Sequence, residues 1–322
     1  MKRCCPSRWM IAKLIVSELL LWHLVSPSAA IAQIVSDTTL PNHSNVVPTG
    51  NGVTINGGTV QGSNLFHSFN QFSVPTGSEA YFNNDGAIAN IISRVTGGQV
   101  SNIDGLIRAN GTANLFLLNP NGIVLGPNAR LNIGGAFIAS TADSLLFDND
   151  FAFSATNPQA PPLLTINAPI GLQYGSNPGA ISSSGSGAQL QVTSGQMLGL
   201  LGGDLSLTGV TLSAPQGRIE LGSVGPNSTV SLIPRAAGFA AGYEQANQFR
   251  DIRLAGQTTV DASGNGSGVI RVRGDRVHLR QASSIISDTL GDSSGGEINI
   301  TANTLRLDAG SVIASAALGG TG

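Results

Sequence analysis

The sequence predicts an all-β chain wound as a right-handed parallel β-helix, a three-sided solenoid with an N-terminal cap. Composition is the first of three observations behind this. Of 322 residues, 42 are Gly and 11% are charged, against about 7% and about 25% in ordinary soluble domains. Hydrophobic residues stand at 41% with 5% aromatic, so the core is aliphatic and the chain is outside the disordered class, which combines low hydrophobicity with high charge. The second observation is short apolar-x-apolar segments broken by Gly, Asn and Pro, the pattern of strands with one buried face. The third is a repeat. Gly268-Val269-Ile270-Arg271-Val272 aligns with Gly296-Glu297-Ile298-Asn299-Ile300 at an offset of 28 residues, and the offset carries Val277 and Leu279 onto Leu305 and Leu307, and Ile285 onto Ile313. Three strands per repeat make one triangular coil. The inward residues of each coil stack on those of the next at about 4.8 Å, and a lone coil cannot bury its apolar face, so the stack is the folding unit. A β-sandwich also has many short strands, but it does not repeat its sequence at a fixed interval.

Residues 1–32 differ from the rest. Lys2, Arg3, Arg8 and Lys13 precede and enter a mostly apolar run over 14–25, and Ala30-Ile31-Ala32 supplies an A-x-A cleavage site ahead of Gln33. This is the layout of a secretory signal peptide cut after Ala32. Glu18 and His23 interrupt the run and Pro27 follows it closely, which argues against a membrane-spanning helix of about 20 apolar residues. Removing the segment takes the formal net charge from −2 to −5 and removes both Cys, both Trp and both Lys. The mature chain therefore has no disulfide and no thiolate metal site. It also lacks the Lys/Arg clusters that would neutralise a run of phosphates, so nucleic acid is excluded as a partner.

Downstream, Leu115 to Leu118, Ile123 to Leu125, Leu131 to Ile133 and Ala136 to Ala139 read as strands between Gly- and Asn-bearing turns. Leu205-Ser206-Leu207, Val210-Thr211-Leu212 and Arg218-Ile219-Glu220-Leu221 read likewise. Two stretches depart from the pattern. Residues 148–162 are polar and proline-bearing and are expected to form a loop or excursion outside the helix; residues 236–249 are expected to hold a short helix between coils. Coils of 20–28 residues would make about 10–14 rungs and a rod of about 50–70 Å. The chain stops at Gly319-Gly320-Thr321-Gly322, where a further strand would begin. An uncapped terminal coil there predicts self-association, or a longer parent chain.

Asn119-Pro120-Asn121-Gly122 lies between two apolar strands. Pro fixes φ at the second turn position, the Asn119 side chain can accept a backbone N–H, and Gly122 can take positive φ. Taken alone, this is a β-turn at a coil corner. Its surroundings say more. Ile103-Asp104-Gly105-Leu106-Ile107, Ala113-Asn114-Leu115-Phe116-Leu117-Leu118 leading into the turn, Gly126-Pro127-Asn128-Ala129-Arg130-Leu131 and Phe137-Ile138-Ala139-Ser140-Thr141-Ala142-Asp143 together resemble the secretion domain of filamentous haemagglutinins. Leu40-Pro41-Asn42-His43-Ser44 and Phe66-His67-Ser68-Phe69-Asn70-Gln71-Phe72 resemble its start. These are exoproteins of two-partner secretion, and the likeness points to the cyanobacterial type. The family's second signature, an Asn-Pro-Asn-Leu element, is absent; its region reads Ala87-Ile88-Ala89-Asn90-Ile91-Ile92.

The resemblance implies a chain that enters the periplasm behind a cleaved signal and is recognised by a dedicated outer-membrane β-barrel transporter. It then passes that pore unfolded and folds outside, at the cell surface or in the medium. It assigns residues 33–147 to the core of the two-partner secretion (haemagglutination activity) domain and residues 148–322 to further coils. It also makes residues 119–122 a motif that matters for secretion. The function expected is non-enzymatic adhesion, with a cell-surface glycan or protein as receptor and no cofactor.

Enzymes remain the main competitor, because parallel β-helices include polysaccharide lyases and hydrolases. Glycoside hydrolysis needs two facing carboxylates, and the nearest pair, Asp148 and Asp150, lies in the irregular stretch. His43, His67 and His278 are far apart and have no metal-binding spacing, so no metal site is expected. His278 is placed outward between Val277 and Leu279. Gly291-Asp292-Ser293-Ser294-Gly295-Gly296 matches a nucleophile elbow in letters but leads into a strand instead of a helix, and reads as an inter-coil turn. Arg271, Arg273, Arg276 and Arg280 form the densest charge cluster, expected on a solvated face where an acidic glycan could bind. A structural surface-layer protein, exported by another route, is the third reading.

Overall fold

The computed structural model describes residue 1 and residues 33–148, 151–158, 166–236, 238–266, 268–291 and 296–317. The signal segment with Ala30 and Ala32, Asp150, and residues 292–295 of the Gly-rich turn lie outside the described residues.

The described residues form strands and turns with no helix. The chain winds as a three-sided parallel β-helix. One complete coil runs Asn90–Val95, Ser101–Ile103, Leu106–Ala109, and the next runs Asn114–Leu118, Ile123–Leu125, Arg130–Asn132. Strands of the same side pair in parallel with those one coil away. The three sides are called A, C and B here, in the order a coil visits them. The 28-residue repeat appears as register: Ile270 pairs with Ile298, Val277 with Leu305 and Ile285 with Ile313. One face of the coil strands feeds a continuous, mainly aliphatic core that runs from Val53 and Leu65 through Leu115, Leu200 and Leu221 to Ile285, with Ile298, Ile300 and Ile313 of the last coil half-buried against it.

The N-terminal end is capped by antiparallel pairing. Gln33–Ser36 and Thr59–Gln61 flank Asn64–Ser73 on side A, and Ser44–Thr49 folds back on Gly52–Gly57 on side B. These strands satisfy the first coil's open edge, which a solenoid must protect.

Twice the chain leaves the helix at the A-to-C corner. The first departure makes Ser144–Phe147, Ala152–Ser154 and Pro169–Gln173; the second makes Thr229–Pro234 and Phe239–Gly242. The two departures combine into one five-stranded antiparallel sheet. This sheet covers the outer face of side A and buries a second core, in which Phe66, Phe116, Ile138 and Leu201 meet Leu145, Phe153, Leu172 and Phe239. From Asn90–Val95 to Arg218–Ser223, side A is thereby buried on both faces. Its strands accordingly read as unbroken apolar runs such as Leu115-Phe116-Leu117-Leu118, as expected of strands covered on both faces.

Three expectations are corrected. Residues 236–249 hold the strand Phe239–Gly242 in place of a helix: Arg235 N–H donates to the Gly238 carbonyl and closes a hairpin, and burial against side A overrides the helix preference of the alanines. Side A has eight parallel strands once the two antiparallel cap strands are set aside, so the described stack rises about 34 Å. The longer rod expected from sequence counted the two excursions as coils. Finally, Arg271 and Arg273 are not on an open face. Arg271 donates to the Ala241 carbonyl at 3.1 Å and Arg273 lies 3.8 Å over the Phe249 ring, while Arg276 points from side C and holds Asp251 at 2.7 Å.

Candidate functional site

The Asn119 turn joins Asn114–Leu118 on side A to Ile123–Leu125 on side C. Gly122 N–H donates to the Asn119 carbonyl at 3.1 Å, closing the β-turn. The Asn119 side-chain oxygen accepts from the Asn121 N–H at 3.0 Å, the Asx bond that this residue type favours. Gly122 has φ of +124°, and a Cβ there would lie 3.0 Å from the Ala180 carbonyl oxygen.

The turn is held from both neighbouring coils. Asn119 has no exposed surface, and its Nδ2 donates to the Gln99 carbonyl and to Ser101 Oγ, both at 2.9 Å. Asn121 Nδ2 donates to the Gly97 carbonyl at 2.7 Å. On the other side Gly179 N–H donates to the Pro120 carbonyl at 3.1 Å and Ile123 N–H to the Ala180 carbonyl at 3.0 Å. Asn119 and Asn121 thus stitch their corner onto the preceding one, and Pro120 and Ile123 receive the following one. Only Asn121 and part of Pro120 face solvent. The region without the Asn-Pro-Asn-Leu element forms a different corner: Asn90 opens the strand Asn90–Val95 and belongs to an amide ladder. Its Nδ2 donates to Asn64 Oδ1 and Asn114 Nδ2 donates to Asn90 Oδ1, each at 2.9 Å.

The sequence reading missed a buried polar lock at the N-terminal end. Arg94 is 2% exposed. Its guanidinium donates to Ser68 Oγ at 2.9 Å, Thr39 Oγ1 at 2.9 Å and the Ser154 carbonyl at 2.6 Å, and lies 4.1 Å from the centre of the Phe153 ring. It therefore ties the cap, the second coil and the first excursion together. Burial lowers the Arg94 pKa to about 10, and Asp37 opposes the fall. Burial pushes the Asp37 carboxyl up, but hydrogen bonds from Thr39, Thr96 and Ser68 outweigh it and hold the group below its ordinary value. In Ile91-Ile92-Ser93-Arg94-Val95 the arginine falls on an outward position. Its burial depends on an excursion some 60 residues away, a partner that strand alternation does not reveal.

The other candidate residues do not assemble. Asp148 accepts from Asn167 at 2.5 Å. His43 is exposed, whereas His67 is buried beside Phe69 and Phe82, its Nδ1 2.9 Å from Ser44 Oγ. His278 lies far down the stack on side C, outward as expected and 2.7 Å from Asp308. No group of three His, Cys, Asp or Glu side chains suited to a metal occurs among the described residues.

Comparison with known proteins bears on this arrangement. A family model described as the TPS secretion domain matches residues 32–272. The heme/hemopexin-binding protein of Haemophilus influenzae is 36% identical over 99 residues, which are 31% of this chain and 10% of that protein. The HMW1 secretion domain from Haemophilus influenzae aligns over 88% of this chain and 72% of its own, at 20% identity and a TM-score of 0.57, and shares the fold. A filamentous hemagglutinin secretion domain aligns over 87% of this chain and 99% of its own, at 16% identity and a TM-score of 0.44.

Proposed function

Because the chain belongs to the TPS secretion domain family, we propose that it is an exoprotein carried across the outer membrane by a partner β-barrel transporter, acting outside the cell as a non-enzymatic adhesin. The observation that carries this reading is the family match over residues 32–272, which spans the cap, both excursions and most of the coils. The sequence suits the route. No cysteine follows Cys5, so no disulfide closes a loop before the pore, and a stack of coils can fold progressively from the end that emerges first. The signal is cut between Ala32 and Gln33, and the chain passes through the periplasm.

In this reading Asn119, Pro120, Asn121 and Gly122 serve secretion as a folding corner. A transporter meets the Asn119 side chain only before the coil closes, since the folded chain hides it. Once outside, the same side chain fixes its corner on the preceding one, while the backbone of Pro120 and Ile123 takes up the following one, and so the turn favours addition of the next coil over slippage back into the pore.

The test is co-expression of the full chain with and without its candidate barrel, followed by immunoblotting of the medium. Folded, protease-resistant chain is expected in the medium only with the barrel. Equal export without the barrel would overturn the proposal.

A further inference from the structure

Side B is splayed at one place. Arg130–Asn132 pairs with Leu106–Ala109 at three positions, but with Gln189–Gln191 at Arg130 alone. The first excursion separates these two strands in the chain. The gap between them is a cavity of about 280 Å³, with Ile133 and Val192 buried beneath it and the amides of Asn132 and Gln191 at its rim. A second cavity, of about 560 Å³, lies on the N-terminal side against Ser78, Glu79 and Leu106, and both are lined by Arg130. Glu79, Leu106, Arg130 and Gln189 stand in register on four successive coils. The two cavities lie end to end along this row, with Arg130 as their shared wall, and are taken together as a trough about 14 Å long at about 4.8 Å per coil.

We propose that this trough binds an extended acidic oligosaccharide, with a sugar carboxylate on Arg130. The arginine is held in place: its Nη1 donates to the carbonyls of Ala129 at 2.8 Å, Gly187 at 3.0 Å and Pro127 at 3.3 Å. The Nε–Nη2 edge makes no hydrogen bond to the protein and presents the paired donors that a carboxylate accepts, with Asp104, itself held by Thr76 and Asn128, near enough to feel the guanidinium charge. The half of the trough between Arg130 and Thr193 is lined by no carboxylate. Asn132, Gln189 and Gln191 are exposed and make no side-chain hydrogen bond, and amides that donate and accept at once match sugar hydroxyls. In the other half, the Ser78 hydroxyl belongs to a residue only 5% exposed and has no partner, which leaves a polar group to be satisfied.

The chemistry is binding and not cleavage. Glu79 is paired with Arg108, and Asp104 is occupied by Thr76 and by Asn128, so neither is poised as the acid or base that glycoside hydrolysis needs. The site requires the folded β-helix alone and stands whether or not export uses a barrel.

The test is calorimetric titration of the full folded chain with an oligogalacturonate hexamer, and with cellohexaose as the uncharged control. Saturable binding is expected for the acidic sugar, about tenfold or more weaker for the control. Arg130→Gln removes the guanidinium, and Gln189→Glu sets a negative charge at an exposed neighbour; each should weaken binding about tenfold or more. Thermal melts confirm that both variants are folded, and Gln189→Glu stands as the probe if Arg130→Gln is not. Absence of binding, equal affinity for the two sugars, undiminished affinity in folded Gln189→Glu, or capture of an extended peptide in place of sugar would each overturn the proposal.

Discussion

Asn119 has four hydrogen bonds on a side chain with no exposed surface, two donated to the preceding corner and two accepted from Asn121. Asn119→Ala would strip partners from the fully buried Ser101 hydroxyl, and from the Gln99 carbonyl and the Asn121 N–H of exposed residues that water can partly satisfy; a buried polar group left unpaired costs about 1–3 kcal/mol. With partial relaxation the expected loss is about 2–4 kcal/mol, read from urea unfolding, against about 1 kcal/mol for Asn121→Ala at its exposed position. His67 gives a prediction of the opposite kind. Burial drives its pKa down to about 3, below the unfolded value of about 6.5. Between these values the unfolded chain binds the proton and the folded chain does not, so this group's contribution is complete above about pH 6.5 and is lost as pH falls toward 3. Removing the imidazole in His67→Phe should flatten the acid limb of the stability curve by up to about 1.4 kcal/mol per pH unit. Matched acid limbs in the two chains would show that His67 is not the group responsible. At this scale the turn's own geometry was legible, because Pro120 and Gly122 have few alternatives at their positions. Its partners were not, because Gly97, Gln99 and Ala180 meet the turn through the winding of the coil.

The element that decides how side A behaves is the antiparallel sheet laid over it. Phe153 is fully buried there, edge-on to Phe66 at 5.1 Å and beneath Arg94. Phe153→Ala should cost about 3–5 kcal/mol through the cavity it leaves. It should also raise amide exchange in Ser144–Phe147 and Ala152–Ser154 while leaving exchange in the coils after Val269 unchanged. Uniform deprotection would mean that the excursion and the helix unfold as one unit. The strands of the helix were legible from alternation, and the last coils from their 28-residue offset. The covering sheet was not, because Pro169–Gln173 pairs with Thr229–Pro234 across two coils of intervening chain. Local pattern carries no record of such a pairing. The same omission made residues 236–249 look helical and Arg271 look solvent-exposed.

As a whole the molecule is a stack in which each coil touches its neighbours, sealed by antiparallel strands at the N-terminal end and sheathed over the coils from Asn64–Ser73 to Val269–Arg273. Stability should therefore grade along the axis. Amides in Glu297–Thr301 and Thr304–Leu307 are expected to exchange faster than those in Asn114–Leu118, a gradient that hydrogen exchange with mass spectrometry measures directly. A single global exchange rate would contradict it. In the proposed reading, a stack that closes coil by coil gives the corner turn its purpose, since each new coil needs the previous corner in place. Residues 119–122 are proposed to act as this folding corner in a chain that folds only after crossing the membrane. The most direct test measures two quantities on the Asn119→Ala/Asn121→Ala chain: unassisted refolding rate after dilution from urea, and barrel-dependent export into the medium. Both are expected to fall together. Refolding at the unaltered rate with export abolished would contradict it and make the turn a surface read by direct contact.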